Sequence, residues 1–204
     1  FLEKKIVLVQ FINIFIYLTL ILFLSELARA DSYNKISRVI KILLYPFLLI
    51  FNIHYKKINI GLLILASLLA FILYYISFPS IGFAAQANLA IFKVSMVLLG
   101  ILKFVIIAGV IISWLFAFGL NSNNSITSVL RKFFPGWIYD FCINFTTSFT
   151  SLIQQLYEVT VSVFKNIIPP AGGFDLSPLI AIFAFQFAER LLSILLFEIL
   201  PNLT

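Results

Sequence analysis

Four long, predominantly apolar runs, residues 6–27, 60–78, 94–118 and 176–199, constrain what this chain can become more than any other feature. An α-helix rises about 1.5 Å per residue, so ~20 residues cross the roughly 30 Å hydrocarbon core of a bilayer. Each run meets or approaches that length and stops at charged or Pro/Gly/Asn-rich sequence. Of the 204 residues 62% are hydrophobic and 11% charged, against about 45–50% and about 25% in soluble domains. Ten-residue alternating strands are missing, which argues against an outer-membrane barrel. The expected fold class is an all-α membrane protein with about four transmembrane helices and the lipid bilayer as its first partner.

The first run also has the parts of a secretory signal: Lys4 and Lys5, an apolar core, and Ala28-Arg29-Ala30 in the A-x-A pattern. Its apolar stretch from Ile6 to Leu24 exceeds an ordinary h-region. A retained helix is expected, with a few residues upstream of Phe1.

The net charge of +6 raises the question of nucleic acid, and the placement of the cations answers it. Nine of the 14 fall in two stretches: Arg29, Lys35, Arg38, Lys41, Lys56 and Lys57 between the first two runs, and Arg131, Lys132 and Lys165 between the last two. The connection from Pro79 to Ala90 carries none. Basic loops stay on the cytoplasmic side, so this is a topology signal with attraction to anionic headgroups; no direct nucleic-acid partner is expected. Cys142 and His54 each stand alone, which leaves no disulfide, thiolate cluster or ligand set for a metal. No P-loop, H-E-x-x-H helix, G-x-S-x-G elbow or dinucleotide fingerprint occurs. Neither catalytic residues, a cofactor nor a small-molecule substrate is expected.

An internal repeat organises the chain. Residues Tyr33 to Lys41 align with Asn123 to Arg131 at a constant offset, matching Asn, Ile, Ser/Thr, Val and the terminal cation. Asn52-Ile53 and the sequence through Ala70-Phe71 match Asn166-Ile167 and the sequence through Ala184-Phe185 at a larger offset. Two tandem helical hairpins are expected, residues 1–90 and 91–204, the second with an insertion near 135–160. Between the spans of each lies an amphipathic stretch. Ile36, Val39, Ile40, Leu43, Leu44 and Phe47 recur at helical spacing, as an interfacial helix requires, with Pro46 expected to end or kink it. Residues 137–164 mix Trp137, Phe141, Phe145, Phe149 and Leu152 with Thr, Ser and Gln. They read as an interfacial or re-entrant helix, with a fifth span as the alternative.

From Ile168 to Pro178 the sequence reads IPPAGGFDLSP. Pro169 and Pro170 forbid helix, and Gly172 and Gly173 permit positive φ. Ser177 and Pro178 fit the N-cap and N1 positions, with Asp175 near the positive end of the helix dipole. A rigid lead-in to the last span explains all seven residues; docking a partner or lining a pore mouth is the functional alternative. That string, the LIAIFAFQF after it, and ARADSYN after the first span together resemble the YggT (YlmG) family of small membrane proteins over nearly the whole chain except residues 135–160. The first copy lacks the prolines and glycines, and a basic pair that commonly precedes the prolines is reduced to Lys165. The resemblance implies a non-enzymatic protein of the cytoplasmic membrane, or of a thylakoid or plastid membrane. Relatives are associated with osmotic-stress tolerance, envelope organisation, nucleoid distribution and cytochrome cofactor assembly. A membrane-protein partner or a homo-oligomer is expected. A small ion channel or transporter subunit, and a structural subunit of a larger complex, are the competing readings.

Three charged residues lie well inside the spans, away from their ends: Lys103 in the third, Glu189 and Arg190 in the fourth. Entering at Val94, the chain reaches Lys103 ~13 Å down; measured back from Ile199, Glu189 lies ~15 Å from the same side. A lone charge at such depth costs at least about 2.5 kcal/mol, so the two are expected to pair. Arg190, about 100° around the helix, is expected to snorkel outward, since Glu26 sits at another depth. Topology is checked by single-cysteine labelling in a Cys142→Ser background. An impermeant reagent applied to intact cells is expected to modify Ser80→Cys and to leave Ser128→Cys untouched.

Overall fold

The computed structural model describes residues 2–29, 34–55, 58–117, 135–165 and 175–199. Six helices and one small hairpin make up these residues. They are α1 (Leu2–Leu27), α2 (Lys35–Phe51), β1 (His54–Tyr55), β2 (Ile58–Asn59), α3 (Ile60–Ser77), α4 (Phe83–Ala117), α5 (Gly136–Lys165) and α6 (Ser177–Ile199). Four of them, α1, α3, α4 and α6, are long and apolar enough to cross a membrane, in agreement with the four runs.

Two clusters fix how the first three spans lie. Ile12 and Ile16 of α1 bury against Ala66, Ala70 and Leu73 of α3 and Ala90, Val94 and Val97 of α4. Leu22, Phe23 and Leu24, near the other end of α1, meet Leu62 at the start of α3 and Val105 well along α4. Early α1 thus meets late α3 and early α4, so α1 and α4 run parallel with α3 antiparallel between them. A third cluster joins Ile106 of α4 to Val161 of α5 and Ala181 of α6.

The helices depart from expectation at some points and meet it at others. The third span begins not at 94 but at Phe83. Residues 83–90 contain four alanines, the best helix formers, and Ala85 and Ala90 are small enough to bury against the neighbouring helices. The 90/91 position therefore falls inside α4. Gln86, 2% exposed, donates through Nε2 to the carbonyls of Phe78 (3.1 Å) and Ile81 (2.9 Å), which closes the short turn ahead of α4. Pro46 does not end α2, which continues to Phe51. The missing donor leaves the Ile42 carbonyl, one turn back, without its helical bond, and the helix carries on past that single loss. His54 is exposed, as a loop histidine should be, but belongs to the two-residue β1, paired antiparallel with β2 in the register His54 to Asn59. Residues 137–164 form one unbroken helix, α5, which is not among the four span-like helices. Arg29, in the apparent A-x-A pattern, takes φ 51° and terminates α1, its N–H donating to the Glu26 carbonyl at 3.0 Å.

Two glycines are required by close approach. A Cβ on Gly61 would lie 1.6 Å from the Phe51 carbonyl oxygen. The absence of a side chain is what lets α3 start against the end of α2, with the Gly61 N–H on the Ile53 carbonyl at 3.1 Å. A Cβ on Gly109 would lie 2.4 Å from the Tyr157 ring, which covers that face of α4. Gly61→Ala is expected to cost about 3 kcal/mol, because backbone and not a rotatable side chain is in the way. Gly109→Ala is expected to cost about 1–3 kcal/mol and to be partly rescued by Tyr157→Ala, both read from thermal unfolding in detergent micelles.

Candidate functional site

The charges inside the spans are where a membrane helix departs from what lipid alone would select. Lys103 is on α4 and Glu189 on α6, and the two helices pack side by side. Lys103 Nζ donates to Glu189 Oε2 at 2.6 Å, with both side chains about three-quarters buried. The expected pair is formed, although α4 begins eleven residues before the Val94 entry point from which its depth was counted. It crosses from one helix to another, whereas the hydroxyls of Thr19, Ser67, Ser95, Ser113 and Ser193 all donate to carbonyls four residues back on their own helices. Arg190 takes no part: it is exposed on the outward face of α6. Glu26, the carboxylate it was set against in sequence, is held elsewhere.

A second polar group lies where α1 ends, α2 passes and α3 begins. Lys41 Nζ of α2 is 3.1 Å from Glu26 Oε1. Asn59 Nδ2, at the start of α3, donates to Glu26 Oε2 at 3.1 Å and to Asn52 Oδ1 at 3.4 Å. Asn59 is 3% exposed, so this carboxylate binds three elements together from a sheltered position.

Asn34 does the same across a longer distance in sequence. Its Oδ1 accepts from the Ile36 N–H at 2.9 Å and caps α2, satisfying one of the donors that a helix start leaves open. Its Nδ2 donates to the Ser148 carbonyl at 2.7 Å and to Ser151 Oγ at 3.0 Å, both on α5. Lys35 Nζ, beside it, donates to Asn144 Oδ1 at 3.0 Å. Beyond these bonds α2 and α5 diverge around an open apolar groove of about 510 Å³, lined by Ile36, Val39, Ile40, Phe141 and Phe145. On α5, Phe141, Phe145 and Phe149 stack in succession with ring centroids 6.3 and 6.1 Å apart.

Of the residues singled out before α6, Pro169, Pro170, Gly172 and Gly173 lie outside the described residues; Asp175, Ser177 and Pro178 are within them. The cap is shifted by one from the expected one. The first helical bond runs from the Ile180 N–H to the Leu176 carbonyl, and the capping oxygen is Asp175 Oδ1, which accepts from the Ser177 N–H at 2.9 Å. A carboxylate gives a stronger, charge-assisted bond than a hydroxyl. Lys165 Nζ of α5 lies 3.3 Å from Asp175 Oδ2. Partial burial opposes the charged form, but the bonds from Ser177 and the Lys165 ammonium hold the Asp175 carboxyl below its ordinary range.

Asn34, Gln86 and Asn59 were missed as positioning residues. Their only sequence signal is polarity beside a span, which cannot say what they will reach. Among the described residues no three His, Cys, Asp or Glu side chains converge as a metal site would need. What the arrangement does chemically is bind helices to each other. The ion pair is checked by charge exchange. Lys103→Glu and Glu189→Lys are each expected to lower accumulation in membranes several-fold, and the double exchange to restore part of it.

A family model described as CCB3/YggT matches residues 88–196. No curated protein matches the chain, and no solved structure does.

Proposed function

The chain belongs to the CCB3/YggT family, and on that premise we propose that it is a non-enzymatic multi-pass membrane protein that supports the assembly or organisation of other membrane complexes. The observation that carries this reading is the covering of α6. Only 6% of the residues in its apolar stretch are buried, against 33% in α1 and in α3. A helix so little covered by its own chain offers a face to another.

In this reading the chain is two tandem copies of a span, an amphipathic helix and a second span: α1, α2, α3 and then α4, α5, α6. The amphipathic helices α2 and α5 lie at the interface on the cytoplasmic side, where the exposed Lys35 and Arg38 face anionic headgroups and the aromatic ladder of α5 sits at headgroup depth. The membrane is the cytoplasmic membrane or its thylakoid or plastid counterpart, and osmotic-stress tolerance is a physiological setting in which such support would matter. The Lys103–Glu189 pair favours a second reading, an ion channel or transporter subunit, because ionisable residues at depth also mark ion paths.

One comparison separates the two. Deletion is expected to reduce the amount of at least one membrane complex on native gels, while the purified protein in planar bilayers passes no discrete currents. Discrete currents, abolished by Glu189→Gln, with every complex at its normal level would establish the channel reading instead.

A further inference from the structure

Among the grooves, charge clusters and uncovered faces of this molecule, the outward face of α6 carries the firmest argument. Phe183, Gln186, Phe187, Arg190, Leu191 and Ile194 recur at helical spacing, and all are exposed, Phe183 by 60% and Phe187 by 65%. The stripe is apolar except at Gln186 and Arg190, four residues apart and therefore one above the other. Arg190 forms no ion pair with any described residue.

Its depth makes that position costly. Arg190 is 13 residues from the start of α6, ~20 Å, and nine from its end, ~13 Å. The Cα–Cβ bond of a helical residue leans toward the N-terminus of its helix, so the Arg190 side chain leaves the backbone away from the nearer surface. Snorkelling, the expectation from sequence, has to work against that direction. Lys103, at a similar depth, is matched by a carboxylate on the helix beside it; Arg190 has the same need and faces outward.

We propose that the Gln186–Arg190 face of α6 is the docking surface for a transmembrane helix of a different protein that carries an aspartate or glutamate at the depth of Arg190. Charge complementarity selects the occupant. A second copy packed through the same face would bring Arg190 against Arg190 near the two-fold axis, where like charges repel in a medium of low dielectric. A carboxylate on the partner forms a bidentate pair with the guanidinium, Gln186 supplies an adjacent hydrogen bond, and Phe183, Phe187 and Ile194 pack around them. This rests on the assembly reading and gives it a partner chemistry.

The test uses the full chain in liposomes with synthetic Leu/Ala helices of about 22 residues, one with a central glutamate, one with glutamine and one with leucine. Association is read by energy transfer. The glutamate helix is expected to bind about tenfold more tightly than the leucine helix, with the glutamine helix between them. Arg190→Leu, which leaves the Lys103–Glu189 pair in place, is expected to abolish the preference, and Arg190→Lys to keep most of it. Equal binding of the three helices, a preference that survives Arg190→Leu, or self-association through α6 that excludes the probes would overturn the proposal. Those outcomes concern this face alone, because the deletion experiment on native complexes tests the assembly reading independently.

Discussion

Hydrocarbon offers no hydrogen bonds, and most of this structure follows from that. Every backbone group within a span has to be satisfied by its own helix. The span hydroxyls described obey the same rule, each donating to a carbonyl one turn back. Contacts between spans are consequently apolar along most of their length, and the polar contacts that decide which helix stands beside which gather at the ends. Glu26 gathers α1, α2 and α3, Gln86 closes the turn between α3 and α4, and Asn34 reaches α5. Lys103 with Glu189 is the exception. It makes one pairing of helices, α4 with α6, specific in the stretch where apolar packing alone discriminates least.

How much could be read in advance divides along the same line. The spans were legible because length and hydropathy are properties of one segment; the pairing of Lys103 with Glu189 was anticipated from a count begun at Val94, eleven residues inside α4, so the charges and not the count were the sound signal. The early start of α4 was not legible. Alanine and glutamine have middling hydropathy, and only the neighbours that bury Ala85, Gln86 and Ala90 show that the helix has begun. The partners of Asn34 are more than a hundred residues away, on a helix whose placement no local pattern reports. Gly61 and Gly109 are alike in sequence to Gly100, against which a Cβ would meet nothing; what separates them is a carbonyl from α2 in one case and a tyrosine ring from α5 in the other. The capping of α6 by Asp175 instead of Ser177 belongs to this class too, since both are good caps and geometry decides between them.

The residues that hold Asn34 and Lys35, namely Asn144, Ser148 and Ser151, all lie toward the N-terminal end of α5, inside the stretch that the CCB3/YggT model matches. The N-terminal part of α5 thus acts as a brace laid across α2, while its C-terminal part, through Tyr157 and Val161, is seated on α4 and against α6. One helix contacts both halves of the chain with two kinds of surface, polar at one end and apolar at the other.

The unequal lengths of α3 and α4 have a consequence for the lipid itself. With 18 residues α3 is ~27 Å long, while α4 with 35 residues is ~52 Å. The two are joined by a short turn, so their near ends are level and α4 continues well past the start of α3. A bilayer cannot match both. It thins beside α3, or α4 leans and projects beyond the acyl chains, at a cost of fractions of a kcal/mol per ångström. The span that a bilayer of ordinary thickness fits most closely is therefore α3, and the surplus length of α4 is taken up by lean or by projection into the headgroups and water.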